Sequence, residues 1–399
     1  MRSLFLAAAL LPQLLNAISL WDPKGPYHVG YTQHVFNHST PVDPTPNPGI
    51  LLLTIYYPTL QAPNATVPYL DATTARTFEQ TFGVSNGSLS KLTTNLQFQA
   101  PTLLGTHPAF GNGSSPYPTL IFTPGAGAPV AIYTAYLSEL ASHGFSVVGI
   151  DHPGEAPYTA LPYGAPGVPG PATLLNMTAV ALRQLVLNRV PDIEAAMSPA
   201  GLPALVAASG APVNTTHYGV FGHSAGGSAA AGVMLPSAAG SSRSPRFRAG
   251  VNVDGTFQHL TKAGANDTVI VPDPGAPSPD LCAPFLELAS EARFLGVEDA
   301  DVTWAMFNAN QSGWLRDVQV NGTTHLDYTD LPLCVDLLGE RGGAAATQLG
   351  SIEGRRLTDV VTGLLLRFFG EMVGGGKGLG SVDSFIKKTP EAFVMAESG

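Results

Sequence analysis

Apolar residues in this chain fall into short blocks, and the spacing within each block alternates between two periods. Residues 50–57 (ILLLTIYY) are β-branched and aromatic and stop at Pro58, which predicts a strand. Residues 119–123 read as a buried strand ending in Pro124-Gly125-Ala126-Gly127. Ile132, Tyr136, Leu137, Leu140 and Ala141 then recur at helical spacing, and Gly144 follows where a C-cap glycine belongs. Residues 145–150 (FSVVGI) read as a strand again. Strand, helix and strand joined by short links predict a parallel pair. The unit recurs: a helical stretch over 172–197 precedes a strand at 218–221, with further strands at 247–253 and 284–289. Near the end, Leu357, Val360, Val361, Leu364, Leu365, Phe368, Phe369 and Met372 make an apolar helical stripe. Arg367 and Glu371 interrupt it, which marks a core-packing helix and not a membrane span. Residues 59–116, rich in Thr, Asn, Gly and Pro, are expected to be a long irregular insertion beside a site mouth. With no repeat and no linker, residues 18–399 are expected to form one α/β domain, a mostly parallel central sheet flanked by helices.

Composition adds the compartment. The first 17 residues have a charged start at Arg2, an apolar run from Leu4 to Leu15 and the small residue Ala17, the layout of a secretory signal peptide. Asn37, Asn64, Asn86, Asn112, Asn176, Asn214, Asn266, Asn310 and Asn321 all head N-x-S/T sequons, far more than chance placement of so few Asn would give. Together these features predict a secreted, N-glycosylated protein. In such a compartment the two cysteines, Cys282 and Cys334, are expected to pair, which would contribute about 4 kcal/mol in the chain-entropy picture. A net charge of −10 without a basic stripe excludes nucleic acid as a partner class. The scattered histidines show no ligand spacing, so no metal and no cofactor are expected. Contact with a membrane, if there is any, is expected to be superficial.

Gly222-His223-Ser224-Ala225-Gly226 matches G-x-S-x-G, with an apolar strand before it and an Ala-rich, helix-forming segment after it. That context marks Ser224 as a nucleophile lifted above a sheet by a sharp strand-to-helix turn. A serine hydroxyl needs a neighbouring base. Only His259 and His325 follow Ser224, and His325, in a polar loop after a further strand, is the better placed; His223 reads as a structural neighbour in the turn. For the acid, Asp254 ends the strand at 247–253, at the edge where α/β enzymes assemble sites. Glu287 and Glu291 are its rivals. Two backbone N–H groups complete the set as an oxyanion hole: Ala225, next after the serine, and Ala126 in the glycine-rich loop.

At these positions the chain resembles the plasma-type platelet-activating-factor acetylhydrolases, of the α/β-hydrolase superfamily. The resemblance is carried by Gly25-Pro-Tyr-His-Val-Gly, by Ile55-Tyr-Tyr-Pro, by the segment from Glu139 to His152, by Gly222-His-Ser-Ala-Gly-Gly, by Asp254 after Ala249-Gly-Val-Asn-Val, and by His325-Leu-Asp-Tyr-Thr-Asp. It implies an α/β-hydrolase fold, favours Asp254 as the acid, and implies calcium-independent hydrolysis of short or oxidised acyl groups at the second position of glycerophospholipids. Pro124 departs from the family's His-Gly-x-Gly loop. Gly255-Thr-Phe after the acid lacks the usual bulky aromatic, and Ala126 and Ala225 are smaller than usual. Related secreted lipases and polyesterases share the frame, so a broad short-chain lipase or cutinase-like polyesterase is the alternative. A catalytically silent glycosylated binding protein is the alternative outside enzymes.

Overall fold

A computed structural model of the chain describes residues 18–103, 117–172, 174, 177–236, 246–264, 267, 269–291, 301–374 and 380–399. Residues 1–17, expected to be a signal peptide, and the sequons at Asn112, Asn176 and Asn266 lie outside the described residues. Ten strands make one sheet: β1 (His28–Asn37), β2 (Ile50–Thr59), β3 (Gln97–Phe98), β4 (Tyr117–Thr123), β5 (Ser146–Asp151), β6 (Val213–His223), β7 (Phe247–Val253), β8 (Phe285–Ser290), β9 (Leu315–Val320) and β10 (Ala392–Ser398). Their order is β10-β9-β8-β7-β6-β4-β5-β2-β1-β3. From β9 to β5 every neighbouring pair is parallel, while β10, β2 and β1 pair antiparallel. The helices are α1 (Ala72–Phe82), α2 (Thr134–Ser142), α3 (Ala179–Ala196), α4 (Leu202–Ser209), α5 (Ala225–Met234), α6 (Val302–Asn308), α7 (Leu331–Leu337), α8 (Gly354–Met372) and α9 (Val382–Ile386).

The period-two alternation of the strands divides the core between two faces. Leu120 and Phe122 of β4, with Phe221 of β6, pack on one side against α2, α7 and α8. Ile121, Tyr218 and Val220 point the other way, against residues of α3, α5 and α6 such as Ile193, Ala230 and Phe307. This is the expected α/β-hydrolase arrangement, a mostly parallel sheet with helices on both faces. No helix among the described residues is long and apolar enough to cross a membrane.

The sequence pattern misjudged three features. Residues 59–103 are not irregular: they carry α1, which starts on an Asp71 side chain accepting from Thr73 and Thr74 N–H and stops at Gly83 with φ of 73°. Tyr69 anchors this segment by donating to the buried Asp330 carboxyl at 3.0 Å. Strands β1 and β10 were not anticipated, because both are partly exposed and lack a clean alternation. Cys282 and Cys334, finally, form no disulfide. Cys282 precedes β8, at the edge where the parallel strands begin. Cys334 is buried in α7, whose start is tied through Asp330 N–H to Ile132 O, beyond the opposite end of β4. The length of a strand, roughly 20 Å for six residues, separates the two edges, far beyond the reach of a disulfide.

Of the described sequons, Asn37, Asn64, Asn86 and Asn310 are exposed and Asn321 is partly exposed. Asn214 is buried in β6 and its Oδ1 accepts from Thr216 and His217 N–H, so the fold closes that site.

Reduction of the purified protein should therefore leave its thermal midpoint unchanged; a clear drop in dithiothreitol would show a bridge after all. A second expectation concerns Asp151 at the end of β5. Burial pushes its carboxyl up to about 7, against the hydrogen bond it accepts from Val130 N–H at 2.6 Å. The unfolded chain releases this proton near the ordinary value of about 3.9, so the native state holds more protons between those limits and stability falls as pH rises through them. Asp151→Asn, which cannot ionise but can still accept from Val130, should flatten the decline between about pH 4 and 7 in denaturant titrations.

Candidate active site

The carboxyl ends of β4, β6, β7, β8 and β9 converge on one point. Ser224 follows β6 directly and caps α5 with φ 56° and ψ −119°, a conformation that side chains rarely adopt. The turn closes because its glycines cannot be replaced by anything larger: a Cβ on Gly226 would lie 1.9 Å from Thr123 O, and one on Gly222 2.3 Å from Gly226 C. Ser224 N–H is held by Val253 O at 2.8 Å, which fixes the serine to the end of β7.

His325 stands on a short 3-10 turn, His325–Tyr328, whose start is held by a capping box between Thr324 and Asp327. Its Nε2 lies 2.9 Å from Ser224 Oγ and its Nδ1 2.7 Å from Asp254 Oδ2. Asp254 is buried and itself strained, with φ of 54°, while the His325 side chain is about half exposed. Asp254 Oδ1 accepts from Ser290 N–H at 2.9 Å, and Ser290 Oγ donates to the same carboxylate at 3.0–3.1 Å. A buried carboxylate so bound stays fixed toward Nδ1, leaving Nε2 free to accept a proton from the serine hydroxyl.

The rivals stand apart. His259 lies partly buried beside Phe257 and Phe307, and desolvation there pushes its imidazole down to about 4. Glu287 points with α5 and α6 on the other face of β8, and Glu291 accepts Gly322 N–H at 2.6 Å. His223 bridges Tyr133 OH, at 2.9 Å from Nδ1, and His325 O, at 3.0 Å from Nε2. It supports the site from behind, as its place in the turn suggested.

Ala225 opens α5, so its N–H has no partner within the helix and lies at the positive end of the helix dipole. Ala126 sits in the turn after β4 and lines, with Ser224 and His325, both cavities that meet at the serine. One, about 430 Å³, is bounded by Leu182, Arg183, Val186, Thr256, Gln258 and Ile270. The other, about 230 Å³, is bounded by Phe82, Pro157, Pro171, Leu174, Leu326 and Thr329. Among the described residues, no group of three His, Cys, Asp or Glu could hold a metal.

Sequence reasoning did not reach Ser290, the residue that holds Asp254, because a serine at a strand end carries no signal of its own. Ser290→Ala removes the hydroxyl but keeps the backbone donor. Turnover of a chromogenic ester should fall about tenfold, or about 1.4 kcal/mol of barrier, with the fold intact by circular dichroism; unchanged turnover would show that the backbone bond alone suffices.

Residues 16–161 match the family model described as platelet-activating factor acetylhydrolase, isoform II. A solved structure of a ferulic acid esterase from Streptomyces cinnamoneus superposes with a TM-score of 0.69 at 23% identity, covering 95% of this chain and all of that one. No curated protein matches the sequence. The structural likeness carries the α/β-hydrolase fold across nearly the full length, and family and fold together support a carboxylic-ester hydrolase. Within residues 16–161, which contain Gly25-Pro-Tyr-His-Val-Gly, Ile55-Tyr-Tyr-Pro and the segment from Glu139 to His152, the resemblance holds: this part of the chain matches the platelet-activating factor acetylhydrolase family, isoform II, and the motifs around Ser224, Asp254 and His325 lie beyond the matched residues.

Proposed function

We propose that this chain is a secreted serine esterase, platelet-activating-factor acetylhydrolase-like, that cleaves short acyl esters of glycerophospholipids through a covalent acyl-enzyme. The observation that carries the reading is the unbroken hydrogen-bonded line from Ser224 through His325 to Asp254. In this mechanism Ser224 Oγ bonds to the ester carbonyl carbon as His325 Nε2 takes the hydroxyl proton. The carbonyl electron pair moves onto oxygen, where the N–H groups of Ala126 and Ala225 stabilise it. Collapse of the intermediate expels the alcohol, which takes the proton from His325. Water, activated by the same imidazole, then releases the acid and restores Ser224. Asp254 keeps the tautomer and balances the imidazolium.

The cavities support the substrate class. The smaller one, walled by Phe82, Leu174 and Leu326, suits a short acyl chain. The larger one offers Arg183, Thr256 and Gln258 to the alcohol portion. The leader over residues 1–17 and the exposed sequons support export.

Hydrolysis of a 2-acetyl ether phosphocholine should be measured beside p-nitrophenyl acetate, without calcium, for wild type and Ser224→Ala. Wild type should cleave both, and the variant should lose several orders of magnitude in kcat. Cleavage of the simple ester alone would end the phospholipid assignment and favour a broad short-chain lipase or polyesterase. Failure of folded wild type on both esters would favour the silent binding protein.

A further inference from the structure

We infer that Arg189 is a positioning residue that aims the Ala126 N–H at the oxyanion by clamping the loop after β4; this rests on the esterase reading above. Arg189 lies on α3, far along the chain from that loop, and is only 1% exposed. An arginine so buried needs partners that justify its desolvation. Its Nη2 pairs with the buried Glu155 carboxylate, and its Nη1 donates to Pro124 O. Weaker contacts at 3.4 Å reach Gly125 O from Nη2 and Thr123 Oγ1 from Nη1. One planar fork therefore holds two consecutive carbonyls of the loop.

The consequence follows from peptide geometry. In a trans peptide the C=O and the next N–H point in opposite directions. Gly125 O faces Arg189 and also accepts Ala128 N–H at 3.2 Å, so the Ala126 N–H of that same peptide faces away from them. Away from Arg189 is the side where Ala126 borders the serine cavities. The preceding peptide is fixed at both ends as well, its carbonyl on Arg189 and its Gly125 N–H on Tyr133 OH at 3.0 Å. Tyr133 OH in turn meets His223, which holds His325 O. Loop, base and serine are thereby set in one frame. Pro124 has no N–H to offer but fixes its own φ, and Arg189 and Tyr133 hold the loop's carbonyl and N–H from outside it.

The test compares wild type, Arg189→Lys and the double variant Arg189→Met with Glu155→Gln, which removes both buried charges at once and leaves no orphaned carboxylate. Each is assayed with p-nitrophenyl acetate and with an alkyl trifluoromethyl ketone, which forms a tetrahedral adduct with the serine. The double variant should lose about 100-fold in kcat, the scale of one oxyanion donor, with KM within about twofold. Its ketone affinity should weaken by the same factor as kcat/KM. Arg189→Lys keeps the charge but not the fork, and should lose about tenfold by the same split; it decides the matter if the double variant does not fold. Variants that melt like wild type and keep kcat and ketone affinity, or that lose activity through KM alone, overturn the clamp. Folded wild type inert to both ester and ketone overturns the esterase reading itself, and the clamp with it.

Discussion

The close approach of the α5 N-terminus to the end of β4 is the constraint on which the rest of the site depends. Thr123 O lies so near Gly226 that no side chain fits between them, and that contact holds the turn through Ser224 in its strained backbone conformation. Strain of this kind persists only where the surroundings over-determine it. Here they do so from both sides: Val253 O binds the serine N–H from the next strand, and Asn252 Oδ1 accepts Gly255 N–H to hold the neighbouring loop. The same packing that strains the serine presents the first N–H groups of α5 to the cavity beside it.

Around that fixed point the other groups are held with graded stiffness. Asp254 is buried and, besides its contact to the imidazole, is bound through its N–H to Leu288 O and through its carboxylate to Ser290. The glycine-rich loop has no regular structure of its own and takes its shape from Tyr133 and Arg189. His325 is the most exposed of the set, and its backbone is secured by His223 and by Tyr328 OH, which donates to Ala289 O at 2.9 Å. Burial thus decreases from Asp254 to His325, which leaves the imidazole open to both solvent and the cavities.

Much of this was legible in the sequence because it rests on local rules. Strand, turn and helix around Ser224 announce themselves through glycines and periodicity, and the order serine, acid, histidine follows from the direction of the chain across the sheet. Residues 119–123, 247–253 and 284–289 read correctly as strands because parallel strands, covered on both faces, are nearly continuous apolar runs. What escaped reading depends on tertiary context. Strands β1 and β10 are half-covered; α1 hides in a Thr-rich segment whose only local marks are Asp71 and Gly83; Ser290 and Arg189 act on residues that the fold alone brings near. The disulfide expectation failed for a related reason, since cysteine count and compartment say nothing of which edge of a sheet each thiol occupies.

Strand order sets unequal distances for the chain to cover at the site. Asp254 leaves the strand beside that of Ser224, whereas His325 leaves β9, three places away, or about 14 Å at the usual interstrand spacing. The segment between Val320 and His325 works as a lever arm that must span this gap and still deliver an imidazole to within 2.9 Å of a hydroxyl. A change of one residue in its length would swing the ring by more than a bond length, while the elbow and acid stayed in place. Insertions in this fold are therefore better tolerated ahead of β4, as the α1 segment shows, than in the four residues that carry the histidine home.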